Sequence, residues 1–478
     1  MALNFNDFPE AKLPLSYFEE LSGIPHPSSH TEAIADYLVD FAKAHGLSYE
    51  RDAYNNVLIR KEATPGMEDR EPVCFQGHTD MVAECDPSAV IDMTKEPITL
   101  VRDGDFLRAS GTTLGGDDGV AIAYALAVLA SDDIPHPYFE ALFTSDEEIG
   151  LIGATNLDVG PLRSKYLVNI DSDGEGVFTV GCAGGVRCDM ERTVSYLPKA
   201  TKALKVAVCG GQGGHSGVDI HRGRANAIKV LASLLSEARG TLPFSIAGIH
   251  GGNADNAIPS DASAIIVCDD HAAFKQLMFD LFTPARSEYI DSDHLLSLAF
   301  EECEVEQVLT QEDGNLLLDM ICETPVGVVA MSSDIEGLVE TSLNLGSVRL
   351  SDTLHLVVSV RSSKESEKDA LVSRLTEISA RYGLAFSTRG GYPAWEYRGR
   401  SRIVEVCENV YERLYGKKSE TVIIHAGLEC GILSTKFEGL SCISLGPDNF
   451  DIHTPRERLS LSSFRRVWLF LLEVLKNM

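Results

Sequence analysis

Between residues 70 and 185, short apolar runs alternate with helical stretches, and this rhythm restricts the possible folds more than any other feature of the sequence. Runs at 73–75, 139–143 and 166–170 are brief, apolar and closed by breaks, as buried strands are. The spacing predicts a helix over 119–130 and a shorter one from near Leu151. Upstream, Ala33, Ile34, Tyr37, Leu38 and Phe41 recur at helical spacing over 31–44, ahead of a strand at 57–59. Such a βαβα order predicts an α/β fold, a mostly parallel twisted sheet with helices on both faces. Ligand sites in such sheets lie at the carboxyl ends of the strands. His78, Asp80, Glu147, Glu148 and Asp171 each fall just after a predicted strand.

Beyond Gly184 and Gly185 the texture changes. Longer alternating strands, such as 204–208 and 354–360, are interleaved with amphipathic helices over 225–238 and 364–381. That mixture predicts an α+β domain with an antiparallel sheet. A break at Gly390, Gly391, Tyr392 and Pro393 marks the return. The tail then reads as a helix over 402–414, strands at 422–424 and 442–445, and a closing helix from Ser462. Its style matches the first part. The expected organisation is a discontinuous domain, 1–185 plus 390–478, interrupted by an inserted domain, 186–389.

The bulk numbers narrow the function. With 41 basic against 71 acidic residues the chain carries a net charge of −30, which repels nucleic acid. No run of about 18 apolar residues is present, so no membrane partner is expected. The start, Met1 to Asp7, has no basic stretch followed by an apolar one. Eleven cysteines are scattered without a Cys-x-x-Cys pair. Cys74, Cys209, Cys268 and Cys442 sit in apolar runs and read as buried free thiols of a reducing compartment. A cytoplasmic protein is expected.

Five acidic or histidine-bearing stretches carry the chemistry. In the first, ending the 73–75 strand, His78 and Asp80 are two apart and project to one side if the chain stays extended. Asp80 then either binds a cation or orients its histidine ligand. The second is Thr112 to Gly119, where a glycine-rich turn holds Asp117 so that it can offer one oxygen to each of two cations. Glu147 and Glu148 follow a strand on a bend, where one can face a metal and the other a water. Asp171 follows the next strand. The fifth is the 447–455 segment with His453. Together His78, Asp117, Glu148, Asp171 and His453 form a mixed nitrogen and oxygen set suited to zinc, with manganese or cobalt as substitutes.

The motifs GHTDM, TTLGGDDG, TSDEEIG, NIDSD, GCAGG, GGHSG, NAIP and HAGLECG resemble, in order and over nearly the whole chain, those of the di-zinc exopeptidase family that includes carnosinase, acylamino acid deacylases and tripeptidase T. The resemblance implies two divalent ions, most simply zinc, in the discontinuous domain, with the insert serving as a lid that binds substrate. It makes His78 and Asp171 ligands of one ion, Glu148 and His453 ligands of the other, and Asp117 the bridge, with a cis bond to Asp118. It makes Asp80 the carboxylate that orients His78, and Glu147 the general base. It assigns the oxyanion to His215 and the substrate's terminal carboxylate to Asn256 and Arg361. His425 and Glu429 are expected to line the pocket, Glu429 receiving the substrate's ammonium group. The implied substrate is an unblocked dipeptide, Xaa-His and β-alanyl-histidine among them. The alternative is deacylation of an N-acyl amino acid on the same metals, and HAGLECG and the long insert favour the dipeptide. A fold kept without activity is opposed by the intact Glu147 and ligand set. The exposed-sheet style of the insert points to a homodimer.

Overall fold

Apolar residues at helical spacing build the first helices. In Glu32–Ala44 the buried residues Ile34, Ala35, Leu38, Val39, Phe41 and Ala42 form one stripe. Gly116–Ala130 is different, because nearly every residue from Gly119 to Leu129 is buried, as a helix that is apolar all round requires. Tyr124 packs there against Phe464 and Trp468, and its hydroxyl donates to the Phe464 carbonyl at 2.7 Å. Each fully buried large side chain in this layer contributes roughly 1.5–3 kcal/mol.

The computed structural model describes residues 3–478 apart from 334 and 336. It divides into two compact units, Met1–Cys182 with Tyr397–Ile423 and Leu428–Met478, and Ala183–Glu396 with Ile424–Gly427. The sequence expects the second crossing at 389/390. Instead the Ala385–Tyr392 strand runs through that point, because Ser387, Thr388 and Arg389 pair with the Gly184–Thr193 strand. The brief return at 424–427 has no sequence signal. It carries His425 with the second unit.

The first unit holds an eight-stranded sheet in the order Ser48–Arg51, Val57–Lys61, Phe139–Thr144, Val73–His78, Tyr166–Asn169, Ser441–Ser444, Val177–Cys182, Glu420–Ile424. The four strands from Phe139–Thr144 to Ser441–Ser444 are parallel, as the rhythm predicts. Antiparallel strands flank them, so the sheet is mixed. Both faces are covered. Val73 and Phe75 face the core that includes the Gly116–Ala130 helix, whereas Gln76 faces the Glu429–Lys436 helix and bonds Glu429. A separate four-stranded sheet joins Asn449–Phe450, Arg458–Ser460, Phe106–Ala109 and Leu100–Asp103.

Among the described residues the strands of the second unit pair antiparallel, in a nine-stranded sheet. Leu354, Leu356, Val358 and Val360 alternate along Thr353–Ser362 and share a core with Met190 and Cys188 of the neighbouring strand. Helices Ala227–Ala238, His271–Glu288, Gln311–Glu323 and Glu365–Arg381 contribute to that core. None of the eleven cysteines is in a disulfide, and Cys74 and Cys442 are buried as expected. Cys209 and Cys268 are only half-buried, a correction: Cys209 closes a strand and Cys268 follows one, where cover thins.

Candidate metal centre

The Val73–His78 strand delivers His78 to the carboxyl edge of the parallel strands, buried at 1% exposure. Gly77 is required beside it. A Cβ there would sit 2.2 Å from Asp118 Oδ2 and 2.3 Å from Ala121 Cβ, so any side chain would push the start of the Gly116–Ala130 helix away. Asp118 in turn accepts the His78 backbone N–H at 3.2 Å, and the Asp117–Asp118 bond is cis. Asp117 and Asp118 depart from helical dihedrals, so the regular helix begins after them.

Asp117 is flanked by two imidazoles. His78 Nε2 lies 2.9 Å from its Oδ1 and His453 Nε2 lies 3.2 Å from its Oδ2. His453 Nε2 also meets Glu148 Oε1 at 2.9 Å, and His78 Nε2 meets Asp171 Oδ1 at 3.7 Å. Potential ligand atoms within 4.8 Å of one another group as His78, Asp118 and Asp171, as His78, Glu147 and Glu148, and as Asp117, Glu148 and His453. The five side chains expected to meet therefore do meet, drawn from four segments ahead of residue 172 and one beyond residue 447.

Asp80 differs from expectation in detail. His78 Nδ1 donates to the Asp80 carbonyl oxygen at 2.9 Å, while the carboxylate is further away at 3.4 Å. The carboxylate instead takes the backbone N–H of Glu147 at 2.9 Å and of Glu148 at 3.3 Å, together with the Ser28 hydroxyl at 2.7 Å. One residue thus fixes the ring of His78 with its backbone and the glutamate bend with its side chain. Glu429 also differs. It is fully buried, and Oε2 accepts from Gln76 and Thr144, both at 2.6 Å. Its short helix seats it on the sheet, so it is an interior acid and not a pocket wall.

The electrostatics ask for positive charge. With Nδ1 committed as a donor, neutral His78 points a bare nitrogen lone pair at a carboxylate oxygen, an arrangement stable only with a cation between them. Without a metal that cation is a proton. Burial opposes it, but Asp117 and Asp80 still hold His78 well above the usual imidazole range. The bonds to Asp117 and Glu148 lift His453 to about 10. Burial, then repulsion from Asp117, drives Asp171 well above the usual carboxylate range. Burial does the same to Glu147, helped by Glu148 and Glu429 and resisted by His78. Crowded carboxylates with two imidazoles are a donor set that divalent cations fit, because the ions replace the protons and relieve the repulsion.

His215, Asn256, Arg361 and His425 belong to the second unit. His215 Nδ1 accepts backbone N–H groups from Val218 at 3.0 Å and Gly217 at 3.3 Å, so Nε2 carries the ring proton. Burial, then the Arg361 charge, lowers His215 to about 4 and keeps it neutral. Arg361 is 8% exposed; Nη1 donates to the Tyr392 hydroxyl at 2.8 Å, and Nε has no hydrogen-bond partner among the described residues. His425 Nε2 lies 2.7 Å from Ser342 Oγ, and burial followed by Arg361 lowers it to about 3. Asn256 is exposed, and its carbonyl accepts the Ser216 N–H at 2.7 Å beside the His215–Ala257 bridge.

Residues 74–477 match Peptidase family M20/M25/M40. The chain belongs to this family. The cytosol non-specific dipeptidase of Escherichia coli (strain K12) is 36% identical to it over 466 residues, 96% of each chain. The solved structure of an aminoacylhistidine dipeptidase from Vibrio alginolyticus aligns with a TM-score of 0.86 at 33% identity, covering 98% of both chains. A tripeptidase from Staphylococcus aureus, 17% identical with a TM-score of 0.55 over 98% of both chains, shares the fold. As an M20/M25/M40 peptidase the protein is a peptide hydrolase, and the family implies divalent metal.

One part of this centre escaped sequence reading. Glu457 accepts hydrogen bonds from the turn that carries Asp117. A glutamate four residues past His453 has no periodicity or motif to mark it, and its partners lie some 340 residues earlier.

Proposed function

We propose that this peptidase hydrolyses the peptide bond of unblocked dipeptides, Xaa-His and β-alanyl-histidine-like substrates among them, with two divalent ions, zinc in the first instance. The observation that carries the reading is Asp117 with one imidazole on each carboxylate oxygen. His78 and Asp171 would hold one ion, Glu148 and His453 the other, and Asp117 both. When bound, such a pair supplies a water that ionises near neutrality and polarises the scissile carbonyl.

The chain's own residues do the rest. Asp80 positions Glu147 by accepting its backbone N–H, and Glu147 takes the water's proton and passes it to the leaving amine. His215, neutral with its proton on Nε2, has a hydrogen bond to give as oxyanion charge develops. Arg361 offers a desolvated guanidinium with Nε unpaired, suited to a carboxylate such as the one ending a dipeptide. Asn256 is assigned to the same carboxylate, and His425 shapes that surface through Ser342.

The names of the E. coli and Vibrio relatives support a dipeptide over an N-acyl amino acid. The cysteines, none in a disulfide, and the cytosolic relative support a cytoplasmic location, and among the described residues no helix is long and apolar enough to cross a membrane. A homodimer is proposed, and light scattering that gives the mass of one chain would reject it. The deciding assay compares histidine release from β-alanyl-histidine with acetate release from N-acetyl amino acids. The first should dominate. Acetate release alone would shift the assignment to a deacylase.

A further inference from the structure

The carboxylate of Glu457 is 2% exposed and accepts four consecutive backbone amides. Leu114 and Gly115 donate to Oε2 at 2.7 and 3.0 Å, and Gly116 and Asp117 donate to Oε1 at 2.9 and 3.3 Å. The Asn449 side-chain amide adds a fifth donor to Oε1 at 3.1 Å. The fit leaves no slack, since a Cβ on Gly116 would lie 2.8 Å from Asn449 Nδ2 and 3.0 Å from Glu457 Oε1. Amides in a turn ahead of a helix, like those of its first turn, lack partners within the helix, and a cap usually comes from an adjacent residue. Here it comes from the loop that also carries His453. The turn presenting Asp117 and the loop presenting His453 are therefore tied by one buried carboxylate, right beside the contact between Asp117 and His453 themselves.

We propose that Glu457 is a positioning residue that aims Asp117, so that each of its oxygens meets one imidazole. The inference rests on the metal reading of that centre. Replacing Glu457 then frees the turn to rotate. Asp117 no longer serves both sides, and the loss falls on ion binding and turnover while substrate affinity stays.

The same unit contains a built-in control. Glu140 is fully buried and likewise accepts backbone amides, from Arg163 at 3.1 Å and Ser164 at 2.7 Å, but it lies near the opposite end of the strand that leads to Glu147. The test compares full-length Glu457→Gln and Glu140→Gln proteins, stripped of metal and titrated calorimetrically with Mn2+. Paramagnetic resonance of the loaded proteins then reads the coupling between paired ions. In Glu457→Gln the second ion should bind about 10- to 100-fold more weakly and the coupled signal should shrink. Turnover should fall while KM stays within about twofold of wild type. Glu140→Gln should lose thermal stability yet bind both ions normally.

If Glu457→Gln does not fold, Glu457→Asp, which keeps the charge but shortens the reach, carries the same expectation. Wild-type titration in the Glu457 variant, or an equal loss in Glu140→Gln, overturns the proposal. A wild-type chain that takes up no pair of ions overturns the metal reading, and this proposal with it. Two ions in wild type beside an unaltered Glu457 variant overturn this proposal alone.

Discussion

Two pairs of histidines, one in each unit, sit in opposite electrostatic surroundings. In the first, imidazoles sit among carboxylates, and the surroundings pull His78 and His453 toward positive charge. In the second, His215 and His425 sit near a buried arginine, and burial with the Arg361 charge keeps both neutral. One histidine pair is set for cations and the other for donating and accepting hydrogen bonds. The same side chain takes two functions because its neighbours differ in sign.

This contrast can be broken at several points. The largest effect is expected from removing the shared ligand. Asp117→Ala should drop the metal content from two ions per chain to below one and abolish turnover, as elemental analysis beside a dipeptide assay would show. Exhaustive chelation of the wild type should do the same reversibly, with zinc or manganese restoring activity. Next comes Glu147→Ala, which should lower kcat by about 10²–10⁴-fold with both ions retained. Undiminished turnover in that variant would remove the general-base role.

In the second unit, His215→Ala should cost about 10²–10³-fold in kcat with unchanged metal content. Loss of metal there would erase the distinction between the two histidine pairs. Arg361→Lys should act mainly on KM, raising it by about tenfold, because an ammonium cannot reproduce the bidentate grip.

The smallest effect is on stability. His453 in the metal-free protein has its pKa raised, so its contribution is complete below the unfolded imidazole value near about 6.5 and is lost as pH rises toward about 10. His215, lowered to about 4, behaves oppositely, and its contribution is lost as pH falls from about 6.5 through that value. The melting temperature of metal-free protein should therefore fall on the alkaline side, and bound ions should flatten that limb by replacing the protons. Metal uptake near neutral pH should also release protons, measurable by calorimetry in buffers of different ionisation enthalpy.

The sequence was most readable where local pattern and chemistry coincide. Apolar runs ending in His78, Glu147 and Asp171 place those residues at strand ends, and the parallel core follows from the alternation of strands and helices. Long-range ties were invisible. Glu457 reaches back across the chain to amides that every residue type possesses, so nothing in its composition signals the bond. The Asp80 carbonyl holds His78 more closely than its carboxylate does, and backbone atoms leave no mark in a motif. Helix His271–Glu288 is hard to read in the sequence because Pro284 lies inside it and only Phe274, Met278 and Phe282 are buried. The four-stranded sheet was missed because its strands are short and partly exposed.

Paired ions around Asp117 are the centre of the proposed chemistry. Diffraction from crystals grown with zinc, measured on both sides of the zinc absorption edge, tests this directly. Two anomalous peaks are predicted, one between Asp117, His78 and Asp171 and the other between Asp117, Glu148 and His453. A map with no anomalous density beside Asp117 would contradict it.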